Sequence, residues 1–133
     1  MTARDVIERY FTAFNAGDAE GMLALLADDV EHHVNQGGVR RGKAAFAEFC
    51  GHMGETYRER LTDLVIFADE TGTRAAAEFT VNGEYLKTDP GLPEARGQRY
   101  VLPAGSFFTL RAGRICRVTT YYNLEDWVRQ VSA

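Results

Sequence analysis

His32 and His33 follow Glu31 in a chain of 133 residues that holds three histidines. An unperturbed imidazole titrates near pH ~6.5, where a general base works well. The same triplet invites a metal reading. On a strand, however, adjacent side chains point to opposite faces, so His32 and His33 are badly placed to chelate one ion together, and no metal is expected. Glu78, Thr80 and Asn82 line one face of a strand-like stretch whose other face carries Ala75, Ala77, Phe79 and Val81. Glu78 is thus a candidate substrate contact, although the pattern also suits a strand with one wet face. Arg99 beside Tyr100 could hold an acidic group, while His52 reads as a solvated helix residue. No Gly-rich phosphate loop follows a strand, and neither GxSxG nor HExxH occurs. Cys50 and Cys116 lie far apart without ligand spacing and read as free thiols in a reducing compartment.

The elements that must position these groups fit one domain spanning residues 1–133. A chain this long buries roughly two-thirds of its unfolded surface and needs no disulfide or metal staple. Eight Phe, six Tyr and one Trp argue against disorder. The net charge of −4, without a basic stripe, excludes nucleic acid as an expected partner. No run reaches the ~18 apolar residues of a membrane span, and charges at Arg4, Asp5, Glu8 and Arg9 interrupt any signal-peptide core. The expected compartment is the cytoplasm, with no membrane partner.

Val6, Ile7, Tyr10, Phe11 and Phe14 recur at three- and four-residue steps and predict an amphipathic helix. Thr2 and Asp5 have capping-box spacing, and Asn15-Ala16-Gly17 stops the helix. Asp18 caps a second short helix carrying Met22, Leu23, Leu25 and Leu26. Val30 to Asn35 reads as a strand with Val30, His32 and Val34 on one face. A third helix runs from Gly42 to about Tyr57. Period-two patterning then predicts strands near 60–70, 73–86, 98–111 and 114–122, with hairpin turns at 70–72 and 111–113. The 88–97 connection, with Pro90 and Pro93, reads as a mobile rim. Pro103 and Gly105 predict a bulge. A short helix, Leu124 to Val131, carries Trp127. Helices segregated from a run of antiparallel strands mean the α+β class. The 98–111 strand is apolar on both faces, with Tyr100, Leu102, Ala104 and Phe108 opposite Val101, Pro103 and Phe107. One face therefore has helices to meet and the other a second copy, which predicts a homodimer through the sheet.

The run Arg9-Tyr10-Phe11-Thr12-Ala13-Phe14-Asn15-Ala16-Gly17-Asp18 and the later Leu25-Leu26-Ala27-Asp28-Asp29-Val30 resemble the opening of ketosteroid isomerases and their relatives. Phe107-Phe108-Thr109-Leu110-Arg111-Ala112-Gly113-Arg114-Ile115, then Tyr121-Tyr122-Asn123, resembles the last hairpin of SnoaL-like domains. The stretches Tyr57-Arg58-Glu59-Arg60-Leu61-Thr62-Asp63-Leu64 and Leu92-Pro93-Glu94-Ala95-Arg96-Gly97-Gln98 look like signatures of the ketosteroid isomerase-related subgroup. The resemblance covers nearly the whole chain and implies the nuclear-transport-factor-2-like fold. That fold is a cone in which a curved antiparallel sheet, three N-terminal helices and a short C-terminal helix surround an apolar pocket.

A ketosteroid isomerase pairs a carboxylate base with two oxyanion donors, a tyrosine and a protonated acid. The resemblance places the tyrosine at Tyr10. Val34 or Asn35 stands where the base should be, and Ser106 where the second acid should be, so two of three parts differ. His32, on the same strand face as Val34, is the substitute base. Phe14, Tyr100, Leu102 and Phe108 are expected to line the pocket, with Tyr121, Asn123 and Trp127 at its rim; Asn123 could orient a carbonyl. The expected activity is cofactor-free isomerisation or cyclisation of a small hydrophobic carbonyl compound by proton transfer. The alternative is a non-catalytic module of the same fold that binds a hydrophobic ligand or dimerises. An epoxide hydrolase would need a carboxylate pair flanking an arginine, and only Glu78 offers itself.

Overall fold

A computed structural model describes residues 1–34 and 37–133. Its elements run α1 (Ala3–Asn15), α2 (Ala19–Leu23), β1 (Leu26–Val34), β2 (Val39–Arg41), α3 (Lys43–Thr56), β3 (Tyr57–Ala68), β4 (Arg74–Tyr85), β5 (Gln98–Arg111), β6 (Arg114–Tyr122) and α4 (Leu124–Ser132). The strands form one curved, unclosed sheet in the order β2-β1-β6-β5-β4-β3. The α+β cone is therefore the fold. One pairing departs from an antiparallel sheet: β1 runs parallel to β6.

Local chemistry sets the helix ends. Thr2 Oγ1 accepts from the Asp5 N–H at 3.1 Å while Asp5 accepts from the Thr2 N–H at 2.9 Å, which closes the capping box. Gly17 takes the left-handed conformation that ends the helix, and the Asp18 carboxylate accepts from the Gly21 N–H. The second helix then stops at Leu23, earlier than its apolar pattern suggests. Leu25 O accepts from the Ile115 N–H and Leu26 pairs with Ile115, so β6 draws this stretch into the sheet as the start of β1. Tertiary pairing has overridden a short helical pattern. Asp28 and Asp29 lie exposed on the strand.

The inner face of the sheet meets α1. Phe11 and Phe108 pack edge to face at 5.8 Å, Phe11 lies 5.3 Å from Phe79, and Val6, Ile7, Leu110, Ile115 and Val118 complete the buried layer. The Asn15 side chain bonds both backbone groups of Leu61, which clamps the end of α1 onto β3. Pro103 and Gly105 make no bulge, because β4 and β5 stay in register from Arg74↔Thr109 to Tyr85↔Gln98. Pro103 lies just beyond the last β6 partner, Ala104↔Tyr122, so its missing N–H breaks no rung on that side. The irregularities fall instead at Leu26/Glu31, Thr62/Val65 and Thr109/Leu110. The 88–97 connection is tied down: Tyr85 Oη donates to Pro93 O at 2.6 Å and accepts from the Asp89 N–H at 2.9 Å. Among the described residues no helix is long and apolar enough to cross a membrane.

Candidate functional site

His32 faces inward, as expected, and is only 4% exposed. Its ring lies 4.5 Å from Phe49 and 5.0 Å from Phe46, and among the described residues Nδ1 has no hydrogen-bond partner. Burial, then the charge of Arg40 and the neighbouring His33, push its pKa down to about 4. His33 points outward and bonds Glu31, so the two rings do not converge. Among the described residues no group of three or more His, Cys, Asp or Glu side chains could hold a metal ion.

Tyr10 is buried edge-on against Phe11 and Phe108, and burial raises its pKa well above the usual phenol value. No hydrogen bond among the described residues engages its hydroxyl. His32 stands in register with Val118, and Val118 with Phe108, the residue beneath Tyr10. Two strand spacings, roughly 10 Å, therefore separate His32 from the strand position under Tyr10. No ring contact or hydrogen bond joins the two side chains.

The other expected residues divide between the two faces. Leu102 and Phe108 are buried on the inner face, Phe14 packs on its edge, and Val34 is half-buried at the end of β1. Ser106 is inward but engaged with Thr120 Oγ1 at 2.9 Å. Glu78 lies on the outer face, exposed, because its register partners are Gly105 and Val65. Tyr121 is also outward, edge-on to Phe107. Asn123 is spent on helix capping: its Oδ1 accepts from the Asp126 N–H at 3.1 Å. Asn35 lies outside the described residues.

Tyr100 and Trp127 belong to a cluster at the β3 end of the inner face. Tyr100 Oη donates to Glu59 Oε2 at 2.5 Å. Trp127, from α4, packs edge-on to Tyr85 at 4.8 Å, Tyr100 at 5.9 Å and Tyr57 at 6.1 Å. Tyr57 Oη donates to Asp89 Oδ2 at 2.7 Å, and His52 Nε2 lies 3.0 Å from Asp89 Oδ1. Thus His52 is paired rather than merely solvated.

Glu59 is the unusual member. It stays partly accessible, yet no Lys, Arg or His pairs with it among the described residues. Desolvation raises its pKa above the ordinary carboxylate value, and the Tyr100 hydrogen bond offsets part of that. The Glu59 charge in turn acts on Tyr122, whose pKa is raised first by burial and then by Glu59 and Asp89. Tyr57 and Tyr100 are also raised, chiefly by burial, so each phenol keeps its proton at neutral pH. An uncompensated carboxyl can exchange a proton with a substrate, and once it carries that proton the Tyr100 hydroxyl is free to donate to a developing negative oxygen.

The sequence held a signal for Glu59. Tyr57, Glu59 and Leu61 alternate with Arg58 and Arg60, so the acid shares the inward face with apolar neighbours. One surface hollow of about 290 Å³ lies between Arg40, Phe49 and His52, and another of about 630 Å³ beside the start of α1. Neither includes Tyr10, His32 or Glu59.

The SnoaL-like domain family matches residues 7–118. A candidate polyketide cyclase from Silicibacter sp. TM1040 is 67% identical, covering 99% of this chain and 96% of that one, with a TM-score of 0.97. One from Pseudomonas putida KT2440 is 57% identical over 98% of both chains, with a TM-score of 0.97. One from Xanthomonas campestris pv. campestris is 53% identical over 97% of this chain and 96% of that one, with a TM-score of 0.94. The match spans most of the chain and includes most of α1, all of β3 and β5 and the first half of β6, so the protein belongs to the SnoaL-like domain family.

Proposed function

We propose that the chain is a cofactor-free isomerase or cyclase that moves a proton on a small hydrophobic carbonyl compound, with Glu59 as the base. The carrying observation is the desolvated Glu59 carboxyl, held by one phenol and, among the described residues, unpaired with any cation. The carboxylate takes a proton from carbon beside the carbonyl. The electron pair moves onto the oxygen, where the Tyr100 hydroxyl, released from the carboxylate once Glu59 carries the proton, donates a hydrogen bond. Returning the proton at another carbon completes an isomerisation; attack of the enolate carbon on a second carbonyl, with the proton returned from Glu59 to the new alkoxide oxygen, completes a cyclisation. The names carried by the three relatives support a carbonyl substrate.

The base role passes to Glu59 because His32 holds a proton poorly. An imidazole with a pKa of about 4 is a weak base at neutral pH. Tyr10, inward and without a hydrogen-bond partner among the described residues, remains a candidate donor to the substrate oxygen. The outer face supports a homodimer through the sheet, since Phe67, Val101, Phe107 and Tyr121 are each about half exposed there.

Solvent-deuterium incorporation into a panel of cyclic ketones, steroids included, tests the reading by mass spectrometry. Incorporation by the wild type that is lost in Glu59→Gln is the expected result. Ligands that raise the melting temperature with no incorporation across the panel would replace it with a non-catalytic binding module.

A further inference from the structure

We propose that Gly83 is a positioning residue for the Glu59 site: its missing side chain lets the Tyr100 ring lie across β4 and hold the Glu59 carboxyl. The inference rests on the role given to Glu59 above. Glu59, Gly83 and Tyr100 occupy one register row on β3, β4 and β5. With strands ~4.8 Å apart, the two outer backbones are roughly 10 Å from each other. A phenol closes that gap only by lying flat over the middle residue. A Cβ at Gly83 would sit 2.2 Å from Tyr100 Cζ and 2.4 Å from both Cε2 and Oη. Such distances are far inside van der Waals contact, so a side chain and this ring position exclude each other.

The demand for glycine is steric. Gly83 is not among the residues with positive φ, so its backbone would accept alanine without strain. Glycine inside a strand weakens it and offers nothing to pack. The ring above is the compensating feature. Tyr100 has little room to retreat, being 2% exposed and flanked by Trp127. A methyl group at position 83 therefore drives the phenol off Glu59. The hydrogen bond from Tyr100 is the contact that favours the charged carboxylate against the desolvation that raises it. Losing the bond leaves Glu59 protonated to higher pH.

The test is a carbon-13 NMR titration of the Glu59 carboxyl in wild type, Gly83→Ala, Tyr100→Phe and the double variant. Both single changes should move the midpoint upward by the same amount, and the double should move it no further. Gly83→Ala at the wild-type midpoint, with Tyr100→Phe raised, would overturn the proposal; so would a midpoint that neither change moves. If Gly83→Ala does not fold, Gly83→Ala/Tyr100→Ala decides. Recovered cooperative unfolding supports the steric contact, and no recovery overturns it. These titrations read position rather than turnover. Failure of the base assignment would appear separately, as deuterium incorporation retained by Glu59→Gln.

Discussion

Acid should unfold this protein partly through one histidine. In the folded state burial, helped by Arg40 and His33, holds the His32 pKa near 4, against an ordinary value of 6.5. The unfolded chain therefore binds a proton in the window between those values and the folded chain does not. Stability is at its full value above pH ~6.5 and is lost progressively as the pH falls toward 4. Each pH unit in the window costs about 1.4 kcal/mol. The whole window then amounts to roughly 3 kcal/mol, a large part of the 5–15 kcal/mol typical of a domain. His32→Leu removes the titration and also the partnerless buried Nδ1. Urea unfolding at a fixed protein concentration, followed from about pH 7.5 to 4.5, compares the two proteins. The carboxylates common to both cancel in the difference. The variant should gain about 2.5 kcal/mol on the wild type across the series, which stops just short of the folded pKa. Parallel stability curves would refute the reasoning, because they would mean His32 takes its proton as readily folded as unfolded.

Asn15→Ala removes both hydrogen bonds to the Leu61 backbone. A loss of about 1–3 kcal/mol is expected in urea unfolding at neutral pH, and a loss below measurement error would mean that Leu61 is satisfied otherwise. Phe107→Glu places a charge at the centre of the exposed outer-face patch formed with Tyr121. Sedimentation should read a dimer for the wild type and a monomer for the variant, and an unchanged mass would separate the patch from self-association.

The α+β class, the capping box of α1 and the strand pattern after α3 were legible because each is written in local spacing. The start of β1 was not, since it depends on capture by β6 nearly ninety residues later. Pro103 misled because its tolerance comes from where β6 ends, which no local pattern records. The strand face that His32 shares with Val30 was legible, but its depressed pKa is a property of Phe46, Phe49 and Arg40 gathered from other elements. Glu78 looked like a candidate because alternation names two faces without saying which is inside. Glu59 could have been found by asking which acid sits on an apolar face. The glycine and the phenol that frame it are 17 residues apart and meet only through strand register.

The most direct test of the central claim is the rate of solvent-deuterium incorporation by wild type, Glu59→Gln and His32→Leu on a ketone that the wild type labels. Loss of a general base typically costs about 10²–10⁴-fold. That loss is predicted for Glu59→Gln, whereas His32→Leu should retain most of the wild-type rate at neutral pH. Full incorporation by Glu59→Gln, with loss in His32→Leu, would contradict the account and return the base to His32.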